Sequence, residues 1–191
     1  MSYPKGSAVL ADGNGRVFVL TPNTDGQVLR YDSSLPNGAE WIHGPRYFSA
    51  HDATGGLDIN NGYAPIAWDY VEVINSNYSH TIGSPVIAFN ETGTYKIHVD
   101  ITTNIVSGNG RSQSQARITK DTGSGFLEIQ GTDTYIYNRN VTQGAQTASI
   151  NGHFNFNAGD QIQIEVQKVS GTSVLQTKAQ SSRISIESFI Q

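Results

Sequence analysis

The five histidines are the first residues to test for chemistry, because imidazole binds metal ions and transfers protons near neutral pH. They are scattered, and no two stand at a metal-binding spacing such as His-x-x-x-His: His43, His51, His80, His98 and His153. His98 and His153 fall on the polar side of predicted strands, where a solvated or interface histidine is the ordinary explanation. The sequence therefore predicts no metal site and no cofactor.

Hydroxyl and carboxyl side chains form no catalytic motif either. No Gly-x-Ser-x-Gly elbow occurs, which argues against a hydrolase triad. The aspartates are too dispersed for a calcium loop or a glycosidase pair: Asp58, Asp69, Asp100, Asp121, Asp133 and Asp160. A polysaccharide depolymerase would need acidic residues that converge in a groove. We therefore predict that the protein is not an enzyme.

Composition excludes several classes of partner. The net charge of −4 argues against sequence-independent binding to phosphate backbones, which requires clustered Lys and Arg. No stretch approaches the ~18 consecutive apolar residues of a membrane span, and no apolar run follows Lys5, so we expect neither membrane insertion nor a secretion signal. Because there is no cysteine, disulfides and thiolate sites are excluded. Packing or assembly must provide the stability.

The clearest structural signal is the alternation of residues 95–105. Tyr95, Ile97 and Val99 share one parity while Lys96 and His98 take the other, which predicts a long strand with one buried face. Similar short segments follow one another with Gly- and Asn-rich turns and no helical period. We predict strands over residues 66–74, 85–89, 94–106, 114–120, 126–130, 133–138, 146–156, 161–169, 173–177 and 182–190. The fold class is all-β, a sandwich or jelly roll.

The chain divides into three parts by pattern. Residues 1–42 contain two short strands, 16–20 and 27–31, separated by turn residues; they predict a small hairpin-like module that is too small to be stable alone. Residues 43–64 are interrupted by Gly, Pro and Asn, and predict a linker or collar. Residues 65–191 form the main domain.

Two resemblances refine this organisation. The N-terminal part is similar to a short repeat-like module of tailed-phage fibre and virion-surface proteins, on the segments Gly6 to Asp12, Gly26-Gln-Val-Leu29, Asp32-Ser33 and Gly38-Ala-Glu-Trp41. In those proteins the module directs assembly. The resemblance therefore implies attachment to a particle through the N-terminal part.

Five segments of the main domain carry a second resemblance: Phe89-Asn-Glu-Thr-Gly-Thr-Tyr95, Arg111 to Arg117, Tyr137-Asn-Arg139, Asn157-Ala-Gly-Asp160 and Arg183-Ile-Ser-Ile-Glu187. On these segments the domain resembles a C1q/TNF-like jelly roll of the kind found on bacteriophage particles. The resemblance implies a sandwich of about ten strands that assembles as a homotrimer. The chain lacks the collagen-like stalk of secreted members, which argues against complement-like or cytokine-like roles.

Candidate interaction residues follow from exposure and residue type. Tyr135 and Tyr137 flank Ile136 and share a face with Arg139; they either pack within the domain or line a trimer interface, where Tyr and Arg are enriched. Arg111, Arg117, Arg139 and Arg183 are candidates for ion pairs across subunits. The apolar residues of the N-terminal module are candidates for docking to the particle: Val17, Val19, Val28, Leu29 and Trp41.

These observations predict a non-enzymatic, homotrimeric phage virion protein that is made in the host cytoplasm and located on the virion surface. Capsid decoration or a head fibre is favoured, with the N-terminal module docked on a capsid or tail protein. The alternative is a receptor-binding tail-fibre or spike tip, in which exposed loops such as 107–112 and 121–125 recognise host glycan or protein.

Overall fold

A computed structural model describes residues 7–11, 17–20, 27–31, 39–43, 46–140 and 144–188. The regular elements in these ranges are all β-strands. The chain divides into two compact units with the boundary between Arg46 and Tyr47. Both units therefore belong to the all-β class that the alternation predicts.

The first unit contains two antiparallel strand pairs. Strand β1 (Ala8–Ala11) pairs with β2 (Val17–Leu20), and β3 (Gln27–Tyr31) pairs with β4 (Ala39–His43). β2 and β3 coincide with the two strands predicted in this region. Each of these predicted strands pairs with a further strand that the sequence analysis does not predict, so the described residues form two hairpin-like pairs.

The second unit consists of a six-stranded and a seven-stranded sheet. Its strands are β5 (Tyr47–His51), β6 (Ala64–Pro65), β7 (Tyr70–Ile74), β8 (Tyr78–His80), β9 (Ile87–Phe89), β10 (Gly93–Ser107), β11 (Ser112–Asp121), β12 (Leu127–Glu128), β13 (Thr134–Asn138), β14 (Gln146–Phe156), β15 (Gln161–Gly171), β16 (Val174–Thr177) and β17 (Arg183–Ser188). The six-stranded sheet has the order β14-β10-β17-β5-β7, with β16 also on β10. The seven-stranded sheet has the order β12-β11-β15-β9-β8, with β13 also on β11 and β6 on β15.

Strand β10 is the centre of the six-stranded sheet. It pairs with β14 along one edge and with β17 and then β16 along the other. The side chains of Tyr95, Ile97 and Val99 are buried, whereas Lys96 and His98 point outward, as the alternation predicts. Inward residues of β11 and β15 in the other sheet complete the core, among them Ile118, Ile162, Ile164 and Val166.

One end of this core is aromatic. The ring of Phe89 stacks on Phe156 with centroids 4.0 Å apart, and Tyr95 packs edge-on against Phe89 at 4.7 Å. Tyr78 contacts both Phe89 and Tyr95. We call Tyr78, Phe89, Tyr95 and Phe156 the aromatic end. Offset and edge-on ring pairs add about 0.5–1.5 kcal/mol each beyond the burial of apolar area.

The other end of the core is polar. The buried amide of Asn138 donates to the carbonyl oxygens of Thr103 at 3.0 Å and Gly144 at 2.5 Å. The hydroxyl of Thr103 lies 3.1 Å from both Asn138 Oδ1 and Ser114 Oγ. We call Thr103, Ser114 and Asn138 the polar end. These groups are buried but hydrogen-bonded, which avoids the cost of an unpaired polar group.

The predicted linker over residues 43–64 is wrong for most of its length. Residues 47–51 form β5, which pairs with β17 on one side and β7 on the other. Phe48, Ala50 and Ile59 are completely buried in the core. Buried and outward residues alternate along β5, as in an ordinary strand. The prediction missed it because Gly and Pro residues on both sides indicate a loop. The sandwich therefore begins at Tyr47 rather than at residue 65.

The predicted strand over residues 66–74 is also corrected. Ile66 and Trp68 are buried as expected, but the strand begins only at Tyr70. The backbone N–H of Ile66 donates to Ile164, and that of Trp68 donates to Ser84, so this segment is bonded outside the regular ladder. The side chains of Ile66 and Trp68 are therefore buried although neither residue belongs to a regular strand.

Candidate functional site

Strand β13 carries the predicted pair of tyrosines. Tyr135 and Tyr137 are 56% and 46% exposed, whereas Ile136 between them is buried. The two rings therefore share the outward face, as predicted, and are not packed inside the domain. Arg139 follows the end of the strand and is also exposed. Exposed tyrosines at this spacing form an amphipathic contact surface with polar tips.

The polar end of the core holds this strand in place. Asn138 is the last residue of β13 and bonds to the backbone of β10 in the opposite sheet. On its other side, β13 pairs with β11, which places Gln115 opposite Tyr135 and Gln113 opposite Tyr137. The tyrosines are therefore presented by a strand that is fixed to both sheets.

Next to the tyrosines, the seven-stranded sheet has a partly buried charge cluster on its outward face. Arg117 donates to Glu165 at 3.0 Å and to Glu128 at 2.9 Å, and its guanidinium carbon lies 3.6 Å from the ring centroid of Tyr63. Burial raises the pKa of Tyr63, and the Arg117 charge opposes that effect. Burial by itself would lower the pKa of Arg117, but the bonds to Glu165 and Glu128 hold that pKa above its ordinary value.

Arg117 and Arg183, two of the candidates for ion pairs across subunits, each meet a carboxylate within their own chain. Arg117 is paired inside the chain as described, and Arg183 Nη2 lies 2.5 Å from Glu72 Oε1. The carboxylates that pair with both arginines lie on other strands of the same sheet. The sequence does not reveal these pairs, because it does not give the strand order. Both sets of ion pairs link strands of one sandwich.

The outward face of the six-stranded sheet has two concavities, the first lined mainly by apolar surface and the second mainly by polar surface. Register places Lys96, His98 and Asp100 of β10 next to Glu187, Ser185 and Arg183 of β17. One concavity of about 390 Å³ is lined by Tyr47, Lys96, His98, Asn151, Ser185, Ile186 and Glu187. A second, of about 470 Å³, is lined by His51, Asp100, Gln180, Ser181 and Arg183. Because the two follow the same pair of strands, we treat them together as the polar trough.

Several side chains of the polar trough are held by neighbours. Asp100 accepts a hydrogen bond from Ser149, and its other oxygen lies 3.3 Å from His98 Nε2. The hydroxyl of Tyr47 donates to Glu187 at 3.3 Å. Proximity to the Glu187 charge is the main cause that raises the pKa of Tyr47. The acidic groups are therefore oriented before any partner arrives.

Glu72, beside the trough, links three strands. It accepts a hydrogen bond from Ser49 at 2.7 Å and pairs with Arg183. His51 Nδ1 lies 3.3 Å from Glu72, at ion-pair distance but without an aligned hydrogen bond. The Ser49 bond, opposed by partial desolvation and reinforced by the Arg183 charge, lowers the pKa of Glu72.

Three side chains in the polar trough remain available. Among the described residues, the side chains of Lys96, Asn151 and Ser185 make no hydrogen bond or ion pair, although all three line the concavity. They provide an ammonium group, an amide and a hydroxyl on three neighbouring strands. Sequence reasoning missed this site because its residues are far apart in the chain and meet only through strand register.

The histidines do not meet at a metal site within the part of the chain that is described. His51, His98 and His153 lie on the outward face of the six-stranded sheet, and His80 bonds to the carbonyl oxygens of Val86 and Trp68. The side chain of His43 lies outside the described set. No group of three or more His, Cys, Asp or Glu residues in the described ranges has metal-site geometry. Nor does any helix in these ranges have the length and apolar character to cross a membrane.

The predicted docking residues are described only in part. Val19 and Leu29 are each 39% exposed, on β2 and β3 of the first unit. The backbones of Val17, Val28 and Trp41 lie in β2, β3 and β4, but their side chains are outside the described set. A docking role for these five residues remains a prediction.

Comparison with solved structures shows which proteins have a similar fold. The chain is similar to the crystal structure of murine APRIL at pH 5.0, with a TM-score of 0.55 and 9% identity over 76% of this chain and 100% of that chain. It is also similar to the structure of Eiger TNF from S. frugiperda, with a TM-score of 0.50 and 12% identity over 76% of this chain and 91% of that one. No protein-family model and no curated protein matches the sequence. At this identity the likeness concerns the fold alone, and it confirms the predicted C1q/TNF-like jelly roll.

Proposed function

We propose that the protein is a non-enzymatic, homotrimeric structural component of a bacteriophage virion surface, as a capsid decoration protein or head fibre. In this proposal the first unit docks on the particle and the jelly-roll sandwich is exposed. The observation on which it depends most is the exposed pair Tyr135 and Tyr137, presented by a fixed strand of a TNF-like jelly roll. The phage context rests on the resemblances of the sequence.

Self-association is supported by the chemistry of this surface. Tyr and Arg are enriched at the centres of protein interfaces, because they add large contact areas with few rotatable bonds. The anchoring of β13 by Asn138 means that little conformational entropy is lost when a second copy binds. Closed rings of three copies are a common solution for such heterologous contacts.

Particle docking is supported by the size of the first unit. The described residues of this unit form two two-stranded sheets, and isolated hairpins are marginally stable in water. Val9, Val19 and Leu29 nevertheless have exposed side chains. A partner that covers them would stabilise the unit by removing apolar area from water.

The trimer is tested by multi-angle light scattering of the full chain. The wild type should have three times the chain mass, and a double variant, Tyr135→Ser with Tyr137→Ser, should dissociate at micromolar concentration. Tyr70→Ser, which replaces a tyrosine that is 54% exposed on the other sheet, is the matched control. A monomeric wild type would contradict the proposal.

Docking is tested by adding the full chain, or a chain without residues 1–42, to particles that lack this protein. Saturable binding of the full chain and none of the shortened chain is expected. Circular dichroism must show that the shortened chain keeps its sheet structure. Equal binding by both chains would place the docking surface elsewhere.

The exposed residues 106–109 and 122–125, within or beside the two predicted recognition loops, favour a second candidate, a receptor-binding tail-fibre or spike tip that recognises a host glycan or protein. In that case the isolated protein should bind host cells, and particles without it should fail to adsorb. Normal adsorption by such particles, together with reduced particle stability, would favour decoration.

A further inference from the structure

Two exposed arginines lie at the end of the seven-stranded sheet that is next to the polar end of the core. Arg111 precedes β11 and Arg139 follows β13, and among the described residues neither side chain makes a hydrogen bond or an ion pair. We call them the arginine pair, and we propose that they bind an acidic group of a glycan. The inference deepens the receptor-binding candidate, on which it rests for the source of the glycan. It differs from the ion pairing across subunits that is predicted for these two residues.

Strand register brings the arginine pair together. Ser112 of β11 is the register partner of Asn138 of β13, so Arg111 and Arg139 each lie one residue beyond this partnership. Neighbouring strands are about 4.8 Å apart, which allows two long side chains at such positions to reach one ligand group. The pair therefore offers two guanidinium groups at one place, although 27 residues separate them in the chain.

The backbone of Arg111 is held by the turn between β15 and β16. Gly171 packs so closely that a Cβ atom at this position would overlap the carbonyl oxygen of Arg111. The residue before Arg111, Gly110, accepts a hydrogen bond from the hydroxyl of Ser173 at 2.7 Å. Only the side chain of Arg111 is therefore left to be ordered by a ligand.

The backbone of Arg139 is held from the other strand. It follows Asn138 directly, and the buried amide of Asn138 donates to the carbonyl oxygens of Thr103 and Gly144. The two guanidinium groups thus extend from anchored positions. A ligand that binds both has to order two side chains but no loop, which limits the conformational entropy lost on binding.

The surroundings of the arginine pair supply no compensating negative charge. Residues 101–120, 134–159 and 166–186, which include the strand ends and turns next to the pair, contain no Asp or Glu, although the whole chain has a net charge of −4. Arg117 and Arg183, in contrast, are paired with carboxylates of their own chain. A local excess of positive charge attracts an anion from outside the chain.

The neighbouring groups indicate the class of ligand. A guanidinium group presents its N–H donors in a planar fork that matches a carboxylate or a phosphate. Ser107, Asn109 and Thr172 are exposed in or beside the two adjoining turns, and among the described residues their side chains make no hydrogen bond. Hydroxyl and amide groups can pair with the hydroxyls of a sugar. The ligand class is therefore a glycan with carboxylate or phosphate substituents.

A nucleic acid fits this surface less well. Binding to a phosphate backbone requires an extended row of basic residues, and the pair provides two charges on a chain that is acidic as a whole. The recognised feature is an isolated acidic group on an otherwise neutral, hydroxyl-rich chain.

Calorimetric titration of the full chain tests the inference. Trigalacturonate is the carboxylated probe and glucose 6-phosphate is the phosphorylated probe, with the trimethyl ester of trigalacturonate and glucose as their neutral counterparts. At least one acidic probe should bind saturably, and its neutral counterpart should bind at least about tenfold more weakly, because only the acidic form makes charged hydrogen bonds to guanidinium. Which acidic probe binds identifies the recognised group. No saturable binding by either acidic probe at about 10 mM, or equal binding of an acidic probe and its counterpart, would overturn the inference.

Substitutions identify the groups that bind the probe. Arg111→Gln and Arg139→Gln should each weaken the acidic probe about tenfold, since each removes charged hydrogen bonds. Arg183→Gln is the matched control, because Arg183 is an exposed arginine of the other sheet that is already paired with Glu72. It should leave binding unchanged. Unchanged binding in both Arg111→Gln and Arg139→Gln would also overturn the inference.

Light scattering of the same variants separates this inference from the proposed trimer. Arg111→Gln and Arg139→Gln should keep the mass of the wild type. A loss of mass in these variants would show that the arginine pair binds carboxylates of another copy; the inference would then be wrong while the trimer stands. Binding of an acidic probe, together with normal adsorption by particles that lack the protein, would support the site and contradict the receptor-binding candidate. The failures are therefore distinguishable.

Discussion

The two ends of the sandwich core are joined by one strand but stabilised by different interactions. Tyr95, near the start of β10, belongs to the aromatic end, and Thr103, about 26 Å farther along the strand, belongs to the polar end. The stacked rings of Phe89 and Phe156 bury apolar area without directional bonds, whereas the amide of Asn138 makes directional bonds to named backbone atoms. The aromatic end therefore supplies stability, and the polar end determines where β13 and its tyrosines lie.

The largest effect is expected at the aromatic end. Phe89→Ala removes a ring that is stacked on Phe156 and leaves a cavity between the sheets. We expect the free energy of unfolding to fall by about 3–5 kcal/mol, as for other large-to-small core changes. Urea denaturation measures the loss. A loss of less than about 1 kcal/mol would show that the ends do not differ as described.

At the polar end, Asn138→Ala should have a mixed effect. It leaves the carbonyl oxygens of Thr103 and Gly144 without their donor, which costs about 2–3 kcal/mol. It should also weaken self-association, because β13 loses its anchor. Sedimentation at a concentration where the variant is still folded checks this second effect. The control is Phe89→Ala, measured under conditions in which both variants are folded to the same extent. If both substitutions weaken self-association equally, the two ends do not differ in their effect on β13.

The outward faces provide an intermediate test. Arg117 is enclosed by Glu165, Glu128 and Tyr63, so Arg117→Ala should cost about 2 kcal/mol through lost charged hydrogen bonds. Arg183→Ala is the matched control, since the Arg183 side chain is 58% exposed and a surface pair contributes less than about 1 kcal/mol. Thermal denaturation of both variants gives the comparison. Equal losses of stability in the two variants would contradict the idea that partial burial strengthens the ion pairs of Arg117.

The smallest effect concerns pH. The folded-state pKa of Glu72 is lowered, so its contribution is present above the unfolded value of about 4.3 and is lost as pH falls through the folded value. Glu72→Gln should therefore be less stable than the wild type at pH 7, by less than about 1 kcal/mol, and the difference should shrink toward pH 3. Denaturant midpoints at both pH values measure this; a difference that grows on acidification would reverse the assignment.

The sequence predicts the long strands well. Alternation over residues 95–105 marks the centre of β10, and the Ala-Gly-Asp turn at 158–160 joins β14 and β15 as predicted. Short elements are harder. β5 has only five residues, two of them the small Ser49 and Ala50, and its place between β17 and β7 depends on contacts more than a hundred residues away in the chain.

The two candidate surfaces also differ in how far the sequence predicts them. The exposed face of Tyr135 and Tyr137 follows from two residues at alternate positions of one strand, which is a local pattern. The polar trough needs Tyr47, Lys96, Asn151 and Ser185 together, and these come from four strands whose order and register no local pattern determines. Sites built within one strand are readable in advance, and sites built across a sheet are not.

Tyr47 of the first strand of the sandwich stands directly opposite Glu187 of the last. The polypeptide thus enters and leaves this unit at neighbouring points in the interior of a sheet. A unit of this kind can be grafted into a surface loop of a host protein, or have its old ends joined by a short linker and new ones opened within residues 122–126, without separating any paired strands. The same feature makes the sandwich a convenient display scaffold.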